Sequence, residues 1–142
     1  MRLSAFITLG LLLGVNAQWV HAQGKPQSTS AVIIEVYYFH PNERCPIDQS
    51  IEENTVKLLY GTYGKEIKAG TIKFAVINTD DKSQAKTVSR FDINSQALYV
   101  VKWTNGKEVK TDLTHFAFDN GLSNPDKFRT GLKIEIDKAL KP

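Results

Sequence analysis

The chain has 142 residues and a formal net charge of +3. That length predicts one domain, and so small a charge, with no lysine- or arginine-rich run, argues against dedicated nucleic-acid binding. A single cysteine, Cys45, excludes an internal disulfide.

The N-terminus carries Arg2, then an almost unbroken apolar run from Leu3 to Val15, then small residues at Ala17 and Ala22. Charge, apolar core and small-residue site in that order predict a secretory signal peptide over residues 1–22. The run falls short of the roughly 20 apolar residues of a membrane span; an uncleaved anchor is the alternative. Val20-His21-Ala22 is the better cleavage match and Val15-Asn16-Ala17 the second. No cysteine follows directly, which excludes lipid attachment there. Cleavage after Ala22 leaves 120 residues and a charge of +2, enough chain for one core without staples. The expected location is periplasmic or extracellular, with no membrane contact after cleavage.

Gln23 to Ser30 is polar, with Gly and Pro, and reads as a flexible leader. The folded domain is expected over residues 31–142. Ala31 to Phe39 is β-branched and aromatic, as a buried central strand would be. Pro46 to about Tyr63 reads as a helix. Pro46 suits its first position, Asp48, Glu52 and Glu53 lie near its positive end, and Ile47, Ile51, Leu58 and Leu59 recur at helical spacing. Gly61 and Gly64 are expected to break it.

Thr71 to Ile77 is a second strand. Thr79-Asp80-Asp81 is a solvated turn and Ser83 to Phe91 a short helix. Leu98 to Trp103 is a third strand. Asn105-Gly106, which tolerates positive φ, predicts a hairpin to a fourth strand over Glu108 to Leu113. His115 to Phe118 is read as an apolar loop, either plugging the sheet end or offering a docking surface. Asn120-Gly121 opens a turn. Ser123 or Asn124 caps a last helix with Pro125 in its first turn and Phe128, Leu132, Ile136 and Leu140 on one face. The order is β-α-β-α-β-β-α. It predicts an α/β fold: a central mixed sheet of about four strands with helices on both faces.

That order, with Cys45 where the first strand meets the first helix, resembles the thioredoxin superfamily over roughly Ala31 to Leu140. Arg44-Cys45-Pro46-Ile47-Asp48 stands where the family has Cys-x-x-Cys. Phe91 to Leu98 looks like the segment before the third strand, and Lys102 to Lys107 like the hairpin ending in Asn-Gly. Within the superfamily, YYFHPNERCP is similar to exported bacterial proteins of the nitroreductase-subunit-like ArsF family. The resemblance implies a thioredoxin-like fold, with Cys45 at the start of the first helix. Two departures stand out. Asp48 replaces the resolving cysteine, giving a degenerate Cys-x-x-Asp motif. Ala97 replaces a proline that the family holds cis, and a non-proline cis bond costs ~2.5–4 kcal/mol, so Gln96-Ala97 is expected to be trans. Gln96 and Ala97 are the candidate binding edge, reshaped by that change.

Cys45 is the candidate nucleophile. Free N–H groups at the helix start and the charge of Arg44 favour a thiolate, and His40 would orient it. The carboxylate of Asp48 opposes this. An aspartate cannot resolve a mixed disulfide, so a self-contained dithiol cycle is impossible in this monomer. Three readings remain. The first is a binding or accessory module without dithiol oxidoreductase activity, in which Cys45 is inert. The second is a single-cysteine thiol enzyme or redox sensor. The third is a soft-metal or metalloid binder, which only the family resemblance motivates. Cys45, His40, Asp48 and His115 do not have finger or ribbon spacing, so no metal and no cofactor are expected. The expected partner is another exported protein, not a nucleic acid.

Overall fold

The computed structural model describes residues 32–141. The signal-peptide and leader assignments, and Ala31 of the first strand, lie outside the described residues. The elements are β1 (Ile33–His40), α1 (Pro46–Thr62), α2 (Gly64–Lys68), β2 (Ile72–Asn78), a 3₁₀ turn (Lys82–Gln84), α3 (Ala85–Phe91), β3 (Ala97–Thr104), β4 (Lys107–Asp112), α4 (Thr114–Asn120) and α5 (Pro125–Leu140). The sheet order is β2-β1-β3-β4. β1 pairs parallel with β2 and antiparallel with β3, and β3 pairs antiparallel with β4. This is the expected α/β arrangement, a four-stranded mixed sheet with helices on both faces.

Strand alternation splits the side chains between the two faces. Ile34, Val36 and Tyr38 of β1, with Leu98 and Val100 of β3, face a core built with Ile51, Leu58 and Leu59 of α1 and Phe128, Leu132 and Ile136 of α5. Burying side chains of this size contributes about 1.5–3 kcal/mol each. Phe39, Ala97 and Val101 face the other way and pack with Ile77 and with Phe91 of α3. One face is therefore covered by α1, α4 and α5, the other by α3 alone among the described helices.

The local signals act as expected at most boundaries. Asn105 and Gly106 both have positive φ (53° and 73°) and close the β3–β4 hairpin. The Asn124 side chain accepts from the Lys127 N–H and caps α5, with Pro125 at its start. Asp81 caps the 3₁₀ turn by accepting from Ser83 N–H.

α1 ends at Thr62, between Gly61 and Gly64, where the break is expected, and Gly64 begins a separate short helix, α2. One expectation needs correction. His115 to Phe118 is not a loop but the middle of α4. Ala117 is fully buried and Phe116 packs against the main core. Gly131 of α5 makes room for it: a Cβ there would lie 2.2 Å from Phe116 Cζ. The contact joins residues far apart in sequence, so hydropathy alone misread a packed helix as an apolar loop.

Candidate functional site: Cys45 and a buried aspartate

β1 ends at His40, and the chain turns through Pro41 to Arg44 into α1. Cys45 is the residue that caps the helix, in extended conformation (φ −89°, ψ 169°), and it is exposed. Pro46 and Ile47 follow, which puts Asp48 at the third helical position. From there an acid reaches back over the helix start. The Asp48 Oδ2 atom accepts from the Cys45 backbone N–H at 2.9 Å and from the Cys45 thiol at 3.1 Å.

Asp48 is buried completely, which its position near a helix end does not require. Tertiary contacts close over it. The Tyr38 hydroxyl donates to Asp48 Oδ1 at 3.2 Å and to the Asp48 carbonyl at 3.0 Å. Gln96 Nε2 approaches Oδ2 at 3.5 Å. Burial pushes the Asp48 carboxyl upward, but the hydrogen bonds from Cys45, Gln96 and Tyr38 outweigh it and hold its pKa below the ordinary aspartate value. Asp48 is thus a carboxylate at neutral pH. Burial, followed by the Asp48 charge beside it, pushes Tyr38 well above the ordinary phenol value. Tyr38 therefore stays a proton donor.

Arg44 sits beside Cys45 in sequence, but its guanidinium bonds Glu52 at 2.5 Å and the Asp48 carbonyl at 3.4 Å. Its charge is matched along α1 by Glu52. His40 is half-buried, with Nδ1 2.9 Å from the Pro41 carbonyl. That is a local contact at a strand end. His115 is exposed on α4, 3.9 Å from Asp119. Among the described residues no three His, Cys, Asp or Glu side chains converge as a metal-binding group, so Cys45, His40, Asp48 and His115 do not form one ligand set.

Ala97 opens β3 opposite Phe39 and is buried. No described peptide bond is cis, so Gln96-Ala97 is trans. The sequence-expected residues Cys45, Asp48 and Gln96 meet at one place; Arg44 and His40 flank it with other partners. Tyr38 enters the site from β1, which the sequence marks only as a buried strand. Its signal lay in the alternation of β1, which points Tyr38 to the same face as Val36 and hence under α1.

No protein-family model matches the chain, and no curated protein matches it. Two chains of known structure match. One, described as "Structure of a malarial protein", is 16% identical over 64% of this chain and 98% of its own, with a TM-score of 0.39. So distant a likeness says nothing about Cys45 and Asp48, whose chemistry rests on the geometry above.

Proposed function

We propose that this protein is an exported thioredoxin-fold binding or accessory module that works without dithiol exchange, and that its partner is another exported protein. It resembles the thioredoxin superfamily and, within it, the ArsF-type exported proteins. The observation that carries this reading is the buried carboxylate of Asp48. It stands where the resolving thiol would be and accepts hydrogen bonds from both the backbone and the thiol of Cys45. A carboxylate cannot attack a mixed disulfide. The group therefore serves the helix start and the local polar network.

A second reading is favoured by the exposure of Cys45. As a thiolate it attacks an external disulfide, bonds to one sulfur and releases the other as a thiolate. A second external thiol then displaces Cys45 and restores it. Both other sulfur reactants, the disulfide attacked and the thiol that resolves it, come from outside the chain.

Insulin reduction by dithiothreitol tests the first reading. The purified protein should give the same rate as its Cys45→Ala variant. Turnover that depends on Cys45 overturns the proposal. Turnover seen only when glutathione is supplied moves the assignment to the single-cysteine route.

A further inference from the structure

Among the described residues β4 is an edge strand with no further strand outside it. At the opposite edge, α2 packs against β2. Antiparallel pairing leaves alternate backbone groups of an edge strand turned outward and unpaired. The sequence of β4 is Lys-Glu-Val-Lys-Thr-Asp, from Lys107 to Asp112. Val109 is 62% exposed, the most exposed large hydrophobic side chain among the described residues. A groove of about 410 Å³ runs beside it, lined by Lys102, Thr104, Asn105, Lys107 and Val109.

We propose that β4 pairs antiparallel with β4 of a second copy, around a two-fold axis at Val109, to form a continuous eight-stranded sheet. The argument is charge complementarity. Only residues on the same face of a sheet oppose one another across an antiparallel pair. An axis at Lys107, Glu108 or Lys110 sets that charged residue against itself. An axis at Thr111 matches Lys110 with Asp112 but pairs only the last residues of the strand and leaves Val109 uncovered. An axis at Val109 sets Val109 against itself, Lys107 against Thr111 and Glu108 against Lys110 of the second copy. By symmetry that last pair occurs twice.

The intrachain pattern prepares this register. Glu108 bonds Arg90 at 2.5 Å and lies 3.3 Å from Lys110. A second copy thus adds its Lys110 to a row in which charges already alternate. The partner's side chains on the Val109 face would fill the groove. Val109 pairs with Lys102, and Lys102 with Ile34, near the start of β1. Cys45 lies beyond the other end of that strand, so the interface leaves both copies of Cys45 open. This proposal does not depend on the function assigned to Cys45.

Sedimentation equilibrium of the purified protein, run up to millimolar concentration, tests it. The expected mass is twice that of the monomer. Val109→Asp should abolish the dimer, because it sets two like charges across the axis. Glu108→Lys and Lys110→Glu should each weaken association at least tenfold, and the two together should restore it. Circular dichroism and thermal melting check that each variant is folded; the exposure of Val109 makes its variant the safest. Monomeric wild-type protein at every concentration overturns the proposal. So does a dimer that survives Val109→Asp, or a folded double variant that fails to recover association.

Discussion

Tyr37 and Tyr38 are neighbours in the chain and sit in opposite surroundings. Tyr38 points to the face covered by α1, α4 and α5. It is fully buried and donates to a buried carboxylate. Tyr37 points to the face covered, among the described helices, by α3, and is half-buried. Its hydroxyl donates to Glu35 at 3.1 Å and accepts from Arg90 at 3.3 Å. Trp103 Nε1 donates to the same Glu35 oxygen at 2.8 Å. The Arg90 guanidinium lies 5.0–5.5 Å from the ring centres of Phe91, Trp103 and Tyr37. Both tyrosines are well partnered. The contrast teaches that partners alone do not set the worth of a polar group. Beneath three helices, a lost partner leaves a bare charge in a dry place. On the open face water replaces the lost partner.

The largest test of this contrast removes the helical cover. Phe128 of α5 is fully buried in the main core. Phe128→Ala should cost about 3–5 kcal/mol of stability, the range for a buried phenylalanine. Denaturant melts would show it. A loss below about 1 kcal/mol would mean that α5 does not hold the covered face.

Asp48→Ala comes next. It removes the acceptor of the Cys45 N–H, the Cys45 thiol and Tyr38, and should cost about 2–3 kcal/mol. The pH dependence gives a sharper readout. The folded pKa of Asp48 is depressed, so its contribution is fully present above the unfolded aspartate pKa and is lost as pH falls through the lower folded value. The difference between wild type and Asp48→Ala should therefore be greatest near neutral pH and shrink in acid, below about pH 4. A difference that stays constant down to pH 2 would remove the charge from the explanation.

The smallest effects compare the two tyrosines directly. Tyr38→Phe should cost about 1.5 kcal/mol, since it takes one donor from a buried charged acceptor. Tyr37→Phe should cost under about 1 kcal/mol, because Glu35 keeps Trp103 and the Arg90 charge beside it. Equal losses at the two positions would break the comparison, since the same atom is deleted from adjacent residues.

Some features of the site were legible in the residues and others were not. Cys45 at the start of a helix followed from Pro46 and from the apolar run before it. Asp48 in the first turn followed as well. The closing of Tyr38 and Gln96 over Asp48 did not. Gln96 is 48 residues from Asp48 along the chain, and no local pattern brings them together. Arg44 stands beside Cys45 in sequence, but Glu52, two turns along α1, pairs with its guanidinium.

What the sequence by itself determined is the set of elements governed by short-range chemistry. Runs of β-branched and aromatic residues made the strands, Asn105-Gly106 made the hairpin, Pro46 and Pro125 began the longest helices, and four-residue spacing chose the buried face of α5. Tertiary structure alone decided that Phe116 lies against Gly131, with α4 packed on α5, and that Asp48 is buried. Each of these depends on a surface supplied by residues distant in the chain. Burial is a property of the assembled layers, and no window of sequence contains both sides of a contact between them.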